Sequence, residues 1–187
     1  VTVTGVDDAV ADGTQSYSVV LSSAISGDPA YNGIDPPDIS AANSDNETPG
    51  FTVSAVSGNI SETGSSATFY VIMNTPPGVT NTVSVSSSDN TEATVAPAVL
   101  SFDNTNYSNT VVHTVTVTGL DDSLFDGTKN ISILLGPAVG GGVYNGLDPS
   151  DPSLSVRDND KRIFVTVPMV KGDMGGSGLA GADLLCL

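Results

Sequence analysis

The stretch Val115-Thr-Val-Thr-Gly-Leu-Asp-Asp122 decides the fold of this sequence, because nearly the same residues open it as Val1-Thr-Val-Thr-Gly-Val-Asp-Asp8. Valine and threonine alternate in both copies, as in a half-buried β-strand, and each copy ends in glycine and paired aspartates. Further segments match in the same order: Asp12-Gly-Thr14 with Asp126-Gly-Thr128, Tyr31-Asn-Gly-Ile-Asp-Pro36 with Tyr144-Asn-Gly-Leu-Asp-Pro149, and Asp45-Asn-Glu47 with Asp158-Asn-Asp160. Self-similarity at this spacing indicates repeated domains.

The spacing of the matches divides the sequence into three segments. The copies lie 114 residues apart before the Tyr31 loop and 113 after it. Residues 1–47 are then the second half of one repeat, residues 48–160 a complete repeat, and residues 161–187 the start of a different unit, too short to fold alone. We expect the unpaired strand edges of the first segment to leave it poorly ordered or prone to self-association. The missing initiator methionine indicates a fragment of a longer polypeptide.

Within the complete repeat, alternation and β-branched residues predict seven strands separated by turn-forming residues. The predicted strands lie at 51–56, 67–73, 81–88, 98–102, 111–118, 129–135 and 153–157. Seven short strands in a domain of this size are typical of an immunoglobulin-like β-sandwich. The sequence therefore predicts an all-β protein of tandem sandwiches, the first of them incomplete.

The charge of the chain is strongly negative. Asp and Glu number 21, of which 18 are Asp, against 5 Lys and Arg, and the net charge is -16. Such a field repels nucleic acid and anionic lipid, which leaves metal ions and basic proteins as partners. No apolar run approaches the roughly 20 residues of a membrane span.

Strand order predicts where the carboxylates meet. If the strands run alternately up and down, the first, third and fifth connections and the exit of the last strand share one end of the sandwich. These places hold Glu62, Asp89, Asp121, Asp122, Asp126, Asp158 and Asp160, and the matching residues of the first repeat are Asp7, Asp8, Asp12, Asp45 and Glu47. Ca²⁺ takes about 6–8 oxygen ligands from such flexible groups, so calcium is the predicted cofactor.

A structural role is the alternative for each acidic group. Asp-Gly pairs form turns, the Asp121-Asp122 pair can be a solvated strand end, and the segment 158–160 can be a polar linker. Convergence on one end favours the metal. Four further loop aspartates fall at the opposite end, where a turn role is favoured over a shared interdomain cation; they are Asp35, Asp38, Asp148 and Asp151.

Catalytic and zinc chemistry are not expected. His113 is the one histidine and lies within a predicted strand, and Cys186 is the one cysteine. Neither can complete a zinc site or a catalytic arrangement alone. The absence of tryptophan also removes the usual sugar platform of a glycosidase. We therefore expect a protein that is not an enzyme.

The motifs resemble those of Calx-β domains, the sandwich modules of sodium/calcium exchangers, an integrin β subunit and many bacterial surface proteins. The resemblance covers residues 1–160 and rests on the run Glu62-Thr-Gly-Ser-Ser-Ala-Thr-Phe69, the Asp121-Asp122 strand end and the closing Asp158-Asn-Asp160. It implies the sandwich fold and the same calcium ligands. The run 121–126 is less acidic than in the exchangers, so we expect one or two weakly bound ions, with a Kd of about 10⁻⁴–10⁻³ M.

The final segment resembles the opening of a C-type-lectin-like or endostatin-like domain of spirochaete surface lipoproteins. The similar parts are Arg162-Ile-Phe-Val-Thr-Val167, Gly172-Asp-Met-Gly-Gly176 and Gly181-Ala-Asp-Leu-Leu-Cys186. This resemblance implies an exported, outer-membrane-associated protein in which Cys186 pairs with a later cysteine.

Two functions follow from these resemblances. In the first, the repeats would be calcium-binding modules that act in adhesion, in cell communication or as a stiffened stalk, with a host or cell-surface protein or glycan as partner. Alternatively, they are metal-independent spacers that present a lectin-like domain.

Overall fold

The computed structural model describes residues 1–163, whose regular elements are β-strands and one short 3-10 helix. The first segment contains β1 (Gln15–Val19) and β2 (Ile39–Asn43). The complete repeat contains β3 (Phe51–Val53), β4 (Ile60–Ser61), β5 (Ser66–Met73), β6 (Asn81–Ser87), β7 (Ala93–Ala96), β8 (Val99–Phe102), β9 (Thr114–Gly119), β10 (Lys129–Leu135) and β11 (Ser153–Arg157), with the 3-10 helix at Gly142–Tyr144. The predicted all-β class is confirmed. None of the described residues belongs to a helix of the length and apolarity that a membrane span requires.

The complete repeat is a sandwich of two sheets. One sheet has the order β4-β11-β10-β6-β8 and the other the order β3-β5-β9-β7, while β1 and β2 form a separate antiparallel pair. Neighbouring strands are antiparallel except β4 and β11, which run parallel. The alternation of the sequence decides which side chains lie between the sheets: β5 buries Ala67, Phe69, Val71 and Met73.

Aromatic residues close the core at the end opposite the carboxylates. Phe51 packs edge-on against Phe102 and Tyr144, with ring centroids 5.9 and 5.5 Å away. Tyr144 is fully buried, and its hydroxyl accepts a hydrogen bond from the Thr75 N–H at 2.9 Å and donates to the Thr75 carbonyl at 3.1 Å. The phenol is therefore satisfied inside an apolar core.

Two short strands, β4 and β7, were not predicted from the sequence, and each lies in the opposite sheet to its neighbour in the chain. The segment 51–56 forms a strand only to Val53, and the chain then crosses to the other sheet as β4. The prediction at 98–102 omitted β7, which pairs with β9, whereas β8 pairs with β6. The crossing falls at the cis Ala96–Pro97 bond, where proline lacks the N–H needed to continue a ladder.

The prediction that His113 lies inside a strand was wrong. Its N–H donates to the carbonyl of Asn109, whose side chain also holds Val111 and Val112 in a turn, so β9 begins only at Thr114. His113 is buried, and its ring lies 4.1 Å from the ring of Phe102. Because the Asn106 carbonyl can only accept, the Nε2–H donates to it at 2.9 Å.

Candidate metal site at the acidic end

The acidic end is the end of the sandwich at which four chain segments present carboxylates. Glu62 directly follows β4, and Gly119 at the end of β9 allows close approach, since a Cβ there would collide with the Ser61 carbonyl. The full set follows β4, β6, β9 and β11 and comprises Glu62, Asp89, Glu92, Asp121, Asp122, Asp126, Asp158 and Asp160.

Glu62, Glu92 and Asp126 form the first carboxylate group. One oxygen from each lies within 4.8 Å of the others. Only 1% of Glu62 and 4% of Glu92 is exposed, and Glu92 Oε2 has no hydrogen-bond partner. A buried carboxylate oxygen without a partner is costly unless a cation compensates it. The arrangement is therefore chemically suited to a positive ion.

A second group consists of Glu62, Asp122 and Asp160. Their oxygens also lie within 4.8 Å of one another, and Asp160 Oδ2 is buried without a partner. Glu62 belongs to both groups, so the two possible cation positions share one carboxylate.

Other carboxylates at this end hold the loops by accepting backbone hydrogen bonds. Asp158 Oδ2 accepts from the Gly127 N–H at 2.7 Å, and its Oδ1 accepts from the Asp160 N–H at 2.6 Å. Asp122 Oδ1 accepts from the Leu124 N–H at 2.7 Å. Asp158 therefore joins the segment after β11 to the loop before β10.

Asn159 connects the two sheets at this end. Its backbone N–H donates to Glu62 Oε2 at 3.3 Å, and its side-chain amide donates to Asp121 Oδ1 at 2.7 Å.

Asp89 Oδ1 accepts from the backbone and hydroxyl of Thr91 and belongs to neither carboxylate group.

The pKa values fall into two classes that follow these contacts. Burial raises the pKa of Glu62, Glu92 and Asp160, and neighbouring carboxylates raise each further. The pKa of Asp158 is lowered, chiefly by the Gly127 N–H. Three carboxyls at the acidic end thus carry their negative charge at an energetic cost.

An ion pair also lies at this end. Lys129 Nζ is 3.1 Å from Asp126 Oδ2, and this hydrogen-bonded contact raises the pKa of Lys129.

Of the carboxylates predicted from the sequence, Glu62, Asp122, Asp126 and Asp160 come together in the two groups. Sequence reasoning missed Glu92. Its carbonyl accepts from the Leu120 N–H at 2.8 Å, immediately before β7, the strand that was also missed. An isolated glutamate preceding a short Ala-Thr-Val-Ala run was the signal in the sequence.

The first segment carries a partial version of the site. Its predicted carboxylates line a cavity of about 250 Å³ and are Asp7, Asp8, Asp12, Asp45 and Glu47. Asp45 accepts from the N–H groups of Gly13 and Glu47, as Asp158 does in the complete repeat. Within residues 1–163, three carboxylates come within 4.8 Å only in the complete repeat, and both of these groups contain Glu62, which has no counterpart among residues 1–47.

At the opposite end, three of the four aspartates accept hydrogen bonds from the start of their own loops. Asp38 accepts from the Leu21 N–H at 2.9 Å, and Asp151 accepts from the Leu135 N–H at 2.7 Å. Asp35 accepts from the Ser23 hydroxyl at 3.1 Å. The three hydrogen bonds span 17, 16 and 12 residues, so they close the base of each loop and are not local turn contacts.

Comparison with known proteins gave distant structural similarities. No family model and no curated protein matches the sequence. The chain is similar to the apo form of the Calx CBD1 domain, with a TM-score of 0.39, 15% identity, and coverage of 59% of this chain and 98% of that one.

Two other solved structures are similar to the chain. WR4, a C. elegans MSP family member, has a TM-score of 0.34, 16% identity and coverage of 54% of this chain and 90% of its own. Domains 4 and 5 of the S-layer protein SbsC have a TM-score of 0.33, 14% identity, and coverage of 78% of this chain and 75% of their own. All these TM-scores lie below 0.5, so the fold and the site rest on the chain's own geometry.

Proposed function

We propose that this chain is a calcium-binding β-sandwich repeat module of an exported surface protein. The observation that carries the proposal is Glu92 Oε2, a buried carboxylate oxygen without a hydrogen-bond partner, within 4.8 Å of oxygens of Glu62 and Asp126. A bound cation would supply the missing partner.

The chemistry of the donors favours Ca²⁺. Both groups offer only carboxylate oxygens. Hard oxygen donors on loops from several segments fit the variable coordination of Ca²⁺ better than the strict octahedron of Mg²⁺. Glu62, Glu92 and Asp126 would hold one ion, and Glu62, Asp122 and Asp160 would hold a second.

Binding would act on the segment where the chain leaves the repeat. Asp160 is a member of the second group and lies two residues after Asp158, which is bonded to the loop before β10. An ion would remove the repulsion between these carboxylates and fix both loops. At a free calcium concentration of about 100 times the Kd, mass action would stabilise the repeat by about 2.7 kcal/mol.

The surface role rests on the Calx-β resemblance and on the repeats. Calcium-stiffened acidic repeats serve either as a stalk or as an adhesion module that contacts a host or cell-surface protein or glycan. The second resemblance would add an outer-membrane-associated lipoprotein with a lectin-like domain. Apart from residues 161–163, the segment that carries that expectation, including Cys186, lies outside the described residues.

Metal-independent spacer repeats are the second candidate. The observation in their favour is that Asp158 and Asp122 already hold the loops through backbone hydrogen bonds. On this proposal the acidity provides solubility alone.

Calcium titration of the whole chain separates the two candidates. We expect the Tm to rise with millimolar Ca²⁺, and Glu92→Gln to remove most of that rise while keeping the size of the side chain. Asp148→Asn is the matched control, because it removes an exposed carboxylate at the opposite end. An unchanged Tm at millimolar Ca²⁺ would favour the spacer.

A further inference from the structure

Lys129 places a positive charge at the acidic end. It is the first residue of β10, and its amine lies 3.1 Å from Asp126 Oδ2. The negative charges of Glu92 and Asp89 also help to raise the pKa of Lys129. The chain therefore carries its own cation beside the carboxylates to which an external cation would bind.

The contact engages a member of the first carboxylate group. Asp126 is one of three residues whose oxygens lie within 4.8 Å, together with Glu62 and Glu92. An ion held by these three residues would share the Asp126 carboxylate with the Lys129 amine. The positive charges of the ion and the amine would then be close enough to repel each other. Binding there requires the amine to move away or the ion to bind more weakly.

The first segment has a different residue at the matching position. Lys129 pairs with Val156 in the β10–β11 register, and Gln15 pairs with Asn43 in the β1–β2 register, which is the same position one repeat earlier. The Gln15 amide donates to the carbonyls of Asp12 and Gly13 instead of neutralising a carboxylate. The two copies therefore differ by one positive charge next to otherwise equivalent aspartates.

We propose that Lys129 is a tethered counter-ion that competes with the metal for Asp126, so that the residue at this position sets the metal affinity of each repeat. This inference rests on the proposed function, because competition requires that a metal binds. Lysine stabilises the metal-free repeat and weakens binding, and glutamine leaves the carboxylates fully charged for the ion.

Substitution of Lys129 in the whole chain tests the competition. Calcium affinity by calorimetry should rise at least about fivefold in Lys129→Gln, which is roughly the effect of one unit charge near 4 Å in water. The metal-free Tm of the same variant should fall, because Asp126 loses its partner. Lys129→Arg keeps the charge and should bind like the wild type.

Lys161→Gln is the matched control for net charge, since Lys161 is exposed just beyond Asp160. It should change the affinity much less than Lys129→Gln. Equal effects of the two variants would overturn the competition and leave calcium binding intact.

Amine reactivity in the wild type gives a second readout that does not depend on a variant folding. Calcium should increase the acetylation rate of Lys129, measured by mass spectrometry, and leave that of Lys161 unchanged. Calcium binding without any change at Lys129 would overturn the inference. Absence of calcium binding in both the wild type and Lys129→Gln would overturn the proposed function itself.

Discussion

Residues 1–47 and residues 115–160 share their sequence motifs and their loop hydrogen bonds, but they differ in what covers them. In both copies an aspartate after the last strand accepts from the glycine N–H of an Asp-Gly turn, Asp45 from Gly13 and Asp158 from Gly127. In both copies another aspartate accepts from a leucine N–H at the opposite end. These contacts therefore form in both copies, whether or not residues like 51–114 cover them.

Burial separates the two copies. Tyr31 is 62% exposed, whereas its counterpart Tyr144 is 0% exposed beneath Phe51. Tyr144 is covered by Phe51 and Thr75, which have no counterparts among residues 1–47. The same part of the chain supplies Glu62 and Glu92, so the closed core and the first carboxylate group both depend on residues 51–114.

The largest expected effect tests this difference in burial. Tyr144→Ala should lower the free energy of unfolding by about 3–5 kcal/mol, because it empties a packed site and leaves the Thr75 backbone groups without a partner. Tyr31→Ala should cost less than about 0.5 kcal/mol. Urea unfolding followed by circular dichroism measures both, and similar losses would contradict the comparison.

The second prediction uses pH to examine the buried carboxylates of the complete repeat. The pKa values of Glu62 and Glu92 are raised above the ordinary 4.5, so the folded chain holds these protons more tightly than the unfolded chain. Stability from this source is present below pH 4.5 and is lost as the pH rises through the folded pKa values. The metal-free Tm should therefore fall from about pH 4.5 towards 7.

Calcium and the Glu92→Gln variant sharpen that prediction. Millimolar Ca²⁺ should reduce the fall in Tm, because the ion replaces the lost protons, and Glu92→Gln should reduce it without calcium. An equally steep fall in the variant would assign the effect to other carboxyls.

The smallest expected effect concerns the shared turn. Gly127 and Gly13 have φ values of 80° and 75°, a region that alanine enters at a cost of about 1 kcal/mol. Gly127→Ala should lower the free energy of unfolding of the sandwich by about 1 kcal/mol. Gly13→Ala should leave the free energy of unfolding of the sandwich unchanged. Chemical denaturation of the two variants measures the difference, and a loss of stability in Gly13→Ala would show that the two segments unfold together.

Local patterns predicted most of the fold and part of the site. The alternating motif at 115–122 and the repeated motifs can be read directly from the sequence, and they predicted most of the strands and the end at which Glu62, Asp122, Asp126 and Asp160 meet. The two strand crossings and Glu92 were missed. The burial of Glu92 depends on β7 pairing with β9 and on the Leu120 N–H, contacts that no local pattern encodes.

The parallel pairing of β4 and β11 has a mechanical consequence. β4 is the second strand of the repeat and β11 is the last, with Ile60 opposite Val156, and the Glu62 N–H donates to the Arg157 carbonyl at 3.1 Å. Force applied to the two ends of a repeat loads β3 first and then this parallel pair in shear, so the hydrogen bonds of the pair resist together instead of opening one at a time. Glu62 belongs to both this parallel contact and the carboxylate groups, so an ion at the acidic end would also strengthen the repeat against pulling.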